Sequence, residues 1–431
     1  MKDVCNVFYI RTLLGSSLTD LTIYVDCRGF IAEVKLGKEP LIGGYRVNDL
    51  TSSKLITLPG FIDIHAHLRD FELSYKEDLA SGSSAAVSSG YTLVCDMPNT
   101  RPYIDNVEVV RRRVELARKH SYVDYGVYCG IPRSEKVLNE LFTHRDLYVG
   151  FKIYPEDIWS KYDLIKYLLS KYEGLVLVHA ELPEYVSRDS MHDLSLRYID
   201  RPSWNELTVM KMLYSVNGKA KLHLTHSTHP TSPYYCRRLN ITVDTTPAYF
   251  TLSSDDVMDC WRKANPPIPD PATRTLILHN VLSGLYDAVV SDHAPHSPYE
   301  KRLDWRVCPS GLAMIEVTSR ILITLFAKGL LDHKLLLKYL CSGPARILGI
   351  ESSFGCLSKG YRASFTVIDI SKEGVIKLRY SRAGKSGFEG LRYRGEVIKT
   401  VVGGEVVYDS GEVILKPNTL IISGLANVVK G

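Results

Sequence analysis

Leu147-Tyr-Val-Gly-Phe-Lys152 and Leu175-Val-Leu-Val178 are apolar runs of strand length, and the segment between them, 161–172, reads as helix. The same alternation extends in both directions. Thr92-Leu-Val-Cys95 precedes a helical stretch at 106–120, Leu175–Val178 precedes another at 204–216, and further strands are predicted at 221–225, 241–244 and 288–291. Strands that alternate with helices over this length predict a parallel sheet, and a closed (β/α)8 TIM barrel fits 58–348. No GxGxxG or Walker loop follows an early strand, so a nucleotide-binding doubly wound sheet is not supported.

Outside the barrel the pattern changes. Leu21-Thr-Ile-Tyr-Val25 and Phe30-Ile-Ala-Glu-Val34 flank a hairpin signal at Asp26-Cys-Arg-Gly29. Ser364–Asp369, Glu396–Val402 and Glu405–Tyr408, the last two joined by Gly403-Gly404, read the same way. Residues 1–57 and 349–431 are therefore expected to build one small β-sandwich-like domain from both chain ends.

The 431 residues are 45% hydrophobic and 23% charged, ordinary for a globular α/β enzyme with a core of normal size. A net charge of +5 is slight for this length, and no basic block suggests a nucleic-acid partner. The densest run, Arg111-Arg112-Arg113, is expected on a solvated helix face. No apolar run reaches the roughly 18–20 residues that span a bilayer. The nine cysteines are scattered, without a CxxC pair. That predicts free thiols in a reducing compartment and a cytoplasmic protein.

Chemistry-bearing residues close the predicted strands. In Pro59-Gly-Phe-Ile-Asp-Ile-His65-Ala-His67-Leu-Arg69, His65 and His67 stand two apart, so both imidazoles face the same way. Lys152 falls inside an apolar strand, where an unpaired ammonium is costly to bury; a depressed amine there can react with CO2 to give a carbamate that bridges two cations. His179 ends the strand at 175–178. His226 ends the next one, whereas His223 has the opposite parity and is expected to pack, and His229 to lie in a loop. Asp292 follows the strand at 288–291, with His296 four residues on. In such barrels the active site collects at the C-terminal ends of the strands. Nitrogen and oxygen donors without cysteine suit Zn2+ or a similar divalent ion.

These residues resemble the amidohydrolase superfamily, and within it the dihydroorotases, from about Leu58 to Leu348. His65-Ala-His67-Leu-Arg69, Asp96-Met-Pro-Asn99-Thr100, Asn265-Pro-Pro267 and Asp292-His-Ala-Pro-His296 carry the likeness; Asp96-Met-Pro-Asn-Thr separates dihydroorotases from hydantoinases. The resemblance implies two Zn2+ ions per chain, one on His65, His67 and Asp292 and the other on His179 and His226. Carboxylated Lys152 and a hydroxide would bridge them. It implies Asp292 as the proton carrier, Arg69, Asn99 and His296 around the substrate carboxylate, and Asn265 on the ring. The substrates would be N-carbamoyl-L-aspartate and L-dihydroorotate, in de novo pyrimidine synthesis. Three positions depart from the pattern: Asp70-Phe71-Glu72 follows Arg69 in place of Glu-Pro-Gly, Pro269 stands where arginine is usual, and Ala363-Ser364 replaces Ala-Asp. An allantoinase or hydantoinase is the nearest alternative, and a non-catalytic, partner-binding scaffold is the alternative of another class. The loop after Tyr154 and Ser297–Pro309 are candidate lids. The residues leave open a homo-oligomer or an association with aspartate carbamoyltransferase.

Overall fold

A computed structural model describes residues 4–424 apart from Ser16, 41–44, 188–192 and Val257. Eight parallel strands, β1 (Phe61–Ala66), β2 (Tyr91–Asp96), β3 (Asp124–Gly130), β4 (Gly150–Ile153), β5 (Leu175–Val178), β6 (Lys221–Leu224), β7 (Thr242–Thr245) and β8 (Ala288–Val289), pair in sequence order. The ends meet: Ala66 bridges His293, and His67 N donates to the His293 carbonyl at 2.7 Å. This closes the curled sheet into the expected TIM barrel. Ile62, Ile64, Leu93, Cys95, Tyr128, Leu177 and Ala288 come from strands on opposite sides and pack as one cluster, so the barrel interior is filled.

The helices predicted at 106–120, 161–172 and 204–216 are Val107–His120, Tyr162–Lys171 and Asn205–Ser215. The strand predicted at 147–152 instead begins at Gly150. A Cβ at Gly150 would lie 2.4 Å from the Leu175 carbonyl oxygen, so glycine permits the close approach of β4 to β5. An apolar run does not reveal where that pairing starts.

The chain ends form two sheets that face one another. One has the strand order Ile31–Leu36, Ser17–Asp26, Val4–Leu14, Arg46–Leu50; in the other, Leu55–Pro59 pairs antiparallel with Phe365–Asp369. Phe8, Ile10 and Ile23 meet Phe365, Val367 and Val401 in a shared core, with the Phe8 and Phe365 rings edge to face at 4.9 Å. The hairpin between Arg392–Val402 and Glu405–Asp409 turns on Gly403 and Gly404, at φ 56° and 81°, which a tight primed turn requires.

Two sequence expectations fail here. Cys5 pairs with Cys27 and Cys260 with Cys308, leaving Cys95, Cys129, Cys236, Cys341 and Cys356 free. The hairpin register brings Cys5 and Cys27 together, with Val4 opposite Asp26, and no motif spacing signals either pair. The arginine run also divides. Arg111 and Arg112 are exposed, but Arg113 is fully buried and donates through Nε and Nη2 to Asp96 Oδ2 at 2.9 and 2.6 Å. Asp96 Oδ1 accepts from Leu68 N at 2.8 Å, so this pair anchors the segment carrying His67 and Arg69 to the helix. Arg113→Met strands a buried carboxylate and is expected to destabilise the fold by about 3–5 kcal/mol in urea unfolding.

Candidate active site

The C-terminal ends of the strands open into a cavity of about 220 Å3 whose walls include His65, His67, Arg69, Asn99, His179, His226, Asn265 and Asp292. The imidazole and carboxylate groups expected at the strand ends, and the amide groups that the resemblance implies, thus come to one place from the segments that follow β1, β2, β5, β6, β7 and β8. Nε2 of His65 and Nε2 of His67 each lie 3.4 Å from Asp292 Oδ1, and the donor atoms of these three residues all fall within 4.8 Å of one another. His226 continues the cluster, its ring centroid 5.0 Å from that of His65 in a tilted contact and 4.5 Å from that of His179 edge to face.

Three of the four rings are held through one nitrogen. His65 Nδ1 lies 2.6 Å from Thr225 Oγ1, which in turn donates to Asp244. His67 Nδ1 lies 2.6 Å from Asn99 Oδ1. His179 Nε2 is 2.5 Å from Glu181 Oε2. A histidine whose outer N–H is spent in this way presents a fixed lone pair inward, the usual preparation of a metal ligand. Burial, reinforced by neighbouring positive groups, holds His65 and His226 well below the ordinary imidazole range, so both rings are neutral donors. Asp244 also accepts from His226 N at 2.5 Å and sits 2.7 Å from His223 Nε2. His223 is therefore packed, as its parity predicts.

Lys152 is wholly buried below this cluster and is not among the cavity-lining residues; its Nζ has no hydrogen-bond partner. Burial lowers its pKa to about 7, so much of it is free amine at neutral pH. His226 Nδ1 is likewise buried without a partner. An orphaned amine and an orphaned imidazole nitrogen beside a His-His-Asp cluster fit a divalent-metal centre by donor chemistry.

Arg69, His226 and Asp292 hold left-handed backbone, at φ 52°, 41° and 45°. Such conformations cost on the order of 1–3 kcal/mol each and gather at functional sites, where the surrounding structure enforces them.

Arg69 is only 6% exposed and has no carboxylate partner among the described residues. Its Nε donates to the Pro295 carbonyl at 3.2 Å, and its Nη2 is 3.4 Å from His296 Nε2. The neighbouring Asp70 turns away, 3.4 Å from Arg113 Nη1. His296 is not among the cavity-lining residues. Lys76 Nζ is 3.1 Å from its Nδ1 and the Ser310 carbonyl 3.0 Å from its Nε2, which places it as a buttress behind Arg69. Asn99 commits its oxygen to His67, and Asn265 Oδ1 accepts from Arg197 and Arg201 at 2.7 Å each.

Of the candidate lids, Ser297–Pro309 is braced: Cys308 pairs with Cys260, Lys263 Nζ donates to the carbonyls of Trp305 and Cys308, and Lys301 Nζ to those of Cys260 and Pro309. The segment after Tyr154 is the helix Pro155–Ser160, and Pro155 and Glu156 stand on the cavity wall. Sequence reading missed Thr225, Asp244, Glu181 and Arg201. Glu181 sits two residues beyond His179 on the same parity, a signal available in the sequence; Thr225 directly precedes His226 but serves His65 on another strand, and Asp244 and Arg201 are brought in from distant segments.

A filled (β/α)8 barrel with a His-x-His pair on its first strand and an aspartate after its last defines a class. The Amidohydrolase family model matches residues 56–407, and the chain belongs to that family. Its curated relatives narrow the class to the dihydroorotases. The dihydroorotase of Saccharolobus solfataricus is 32% identical over 403 residues, covering 94% of this chain and 95% of its own length. That of Sulfolobus acidocaldarius is 32% identical, covering 89% and 94%, and that of Aeropyrum pernix is 33% identical, covering 86% and 88%. Among solved structures, the L-hydantoinase (dihydropyrimidinase) of Arthrobacter aurescens superposes with a TM-score of 0.87 over 97% of this chain and all of its own, at 20% identity. That likeness is one of fold. Among the described residues no helix is long and apolar enough to cross a membrane.

Proposed function

We propose that the chain is a zinc-dependent dihydroorotase that interconverts N-carbamoyl-L-aspartate and L-dihydroorotate in de novo pyrimidine synthesis. The observation that carries this reading is Arg69: a buried guanidinium beside the metal-ligand cluster, in ion-pair contact with no carboxylate among the described residues. Burial disfavours its charge, and a substrate carboxylate restores the balance through two parallel hydrogen bonds. Hydantoins and allantoin carry no such carboxylate on the ring.

In this reading His65, His67 and Asp292 would hold one zinc, His179 and His226 the other, and Lys152, carboxylated, would join them. Bound metal supplies a Lewis acid and water activated at neutral pH. The protein does the rest. Arg69 takes the carboxylate, and Asn99 and Asn265 present their amide N–H edges. Asp292, the more open member of its cluster at 16% side-chain exposure, accepts the proton of the attacking water and passes it to the departing ring nitrogen as the amide C–N bond breaks. Ring closure runs the same steps backwards.

The division of the chain at 57/58 and 348/349 belongs to this proposal; the first boundary falls within the small-domain strand Leu55–Pro59, just before β1 begins at Phe61, and the second where the helix Gly343–Leu348 ends on Gly349 in left-handed backbone. So does a cytoplasmic location. The two cysteine pairs agree with it where intracellular disulfides persist, as in hyperthermophiles.

The assay is turnover of L-dihydroorotate, N-carbamoyl-L-aspartate, allantoin and hydantoin by the purified, zinc-loaded protein. Interconversion of the first two at rates well above the others supports the reading; preference for hydantoin or allantoin, or no turnover with zinc bound and the fold intact, defeats it. Arg69→Lys is expected to raise KM for dihydroorotate by about 10- to 100-fold, the loss of a charge-assisted pair, with zinc content unchanged. Unaltered kinetics in that variant would remove Arg69 from the site.

A further inference from the structure

Arg201 lies in no motif of the sequence, at the end of the short helix Arg197–Asp200. Its side chain is 1% exposed, yet it stands on the cavity wall. The guanidinium reaches in two directions. Nε and Nη2 donate to Glu181 Oε1 and Oε2 at 2.9 and 2.6 Å, a paired fork, while Nη1 donates to Asn265 Oδ1 at 2.7 Å. The carboxylate it grips also accepts from His179 Nε2 at 2.5 Å.

Two consequences follow from donor and acceptor counting. With its Nε2 proton given to Glu181, His179 has only Nδ1 left as a lone pair, and Arg201 fixes the carboxylate that orients the ring. Asn265 Oδ1 receives guanidinium bonds from both Arg201 and Arg197, which settles the carboxamide flip and leaves Nδ2 as the donor edge for a ligand in the cavity.

We propose that Arg201 is a positioning residue that couples the two halves of the site, setting the His179 ring through Glu181 and the donor edge of Asn265 directly. The His179 arm concerns the metal centre alone; the Asn265 arm rests on the dihydroorotase reading.

The test measures zinc affinity by chelator competition, KM and kcat for dihydroorotate, and thermal midpoint in Arg201→Met, Arg201→Lys and Glu181→Gln. Arg201→Met is expected to weaken the more loosely held zinc by about 10- to 100-fold, the range for losing an outer partner of a ligating histidine, and to raise KM several-fold. Arg201→Lys should recover neither, because a point ammonium cannot fork to a carboxylate and reach a carboxamide together. A role in stability alone would lower the thermal midpoint and leave both quantities within twofold of wild type. Either quantity unchanged in folded Arg201→Met overturns the coupling. Should that variant fail to fold, Glu181→Gln, which keeps side-chain volume and the bond from Arg201 to Asn265, decides: weakened zinc binding with KM unchanged supports the proposal, and unchanged zinc binding overturns it. Wild-type turnover of hydantoin in place of dihydroorotate defeats the substrate reading and leaves the zinc arm standing.

Discussion

Asp292→Asn is expected to lower kcat by on the order of 10²–10⁴ while KM moves little, because the amide keeps the shape of the carboxylate but cannot shuttle a proton. Asp292 is poised for this by geometry. Its Oδ1 is 3.4 Å from both His65 Nε2 and His67 Nε2, and its backbone is held at φ 45°, just beyond the short strand β8. Asparagine tolerates that left-handed conformation, so the fold should survive. Zinc content must be measured alongside the rate. A variant that loses its metal and its activity in proportion reports a ligand only; one that keeps at least one zinc per chain and still loses more than 10²-fold in kcat reports the proton carrier. A kcat within about tenfold of wild type would take Asp292 out of the proton path.

Lys152→Met should separate metal binding from folding. The amine is wholly buried with no hydrogen-bond partner, and its pKa is lowered to about 7 by burial. Methionine fills the same space without a group that must be desolvated, so the metal-free variant should be as stable as wild type or more so. It should nevertheless fail to hold the second zinc, and kcat/KM should fall by on the order of 10²–10³. The pH dependence has a definite sign. A lysine whose pKa is depressed from 10.5 to about 7 is charged in the unfolded chain but neutral in the folded one between those values. The unfolded state then binds more protons, so its contribution to the stability of the metal-free protein rises with pH across that window and is lost as pH falls to 7. Carbamate formation needs the free amine, so bicarbonate-dependent zinc uptake should weaken below about pH 7 in wild type and be absent from the variant.

Period-two alternation made part of the candidate site legible. His65 and His67 share a face, and His223 is excluded from the face of His226, because strand side chains alternate; the structure places all four accordingly. What alternation leaves out is the support behind the ligands. Thr225 and Asp244 hold His65 and His226 from adjoining strand ends, and Arg113 reaches Asp96 from a helix face that reads as solvated. A run of three arginines has no local mark of which one turns inward; a buried carboxylate on another element decides it. The cysteine pairs escaped for the same reason, since residues 22 and 48 apart in sequence meet only through hairpin register and loop packing. His296 follows Asp292 in the same motif; its nitrogens face Lys76 and the Ser310 carbonyl, and its Nε2 lies 3.4 Å from the Arg69 guanidinium.

Anomalous diffraction at the zinc edge from crystals grown with zinc, bicarbonate and dihydroorotate tests the two-metal centre most directly. The account predicts one peak among His65, His67 and Asp292, a second at His179 and His226, and density continuing beyond Lys152 Nζ to both. A single peak with a bare lysine, or zinc bound away from these side chains, would contradict it.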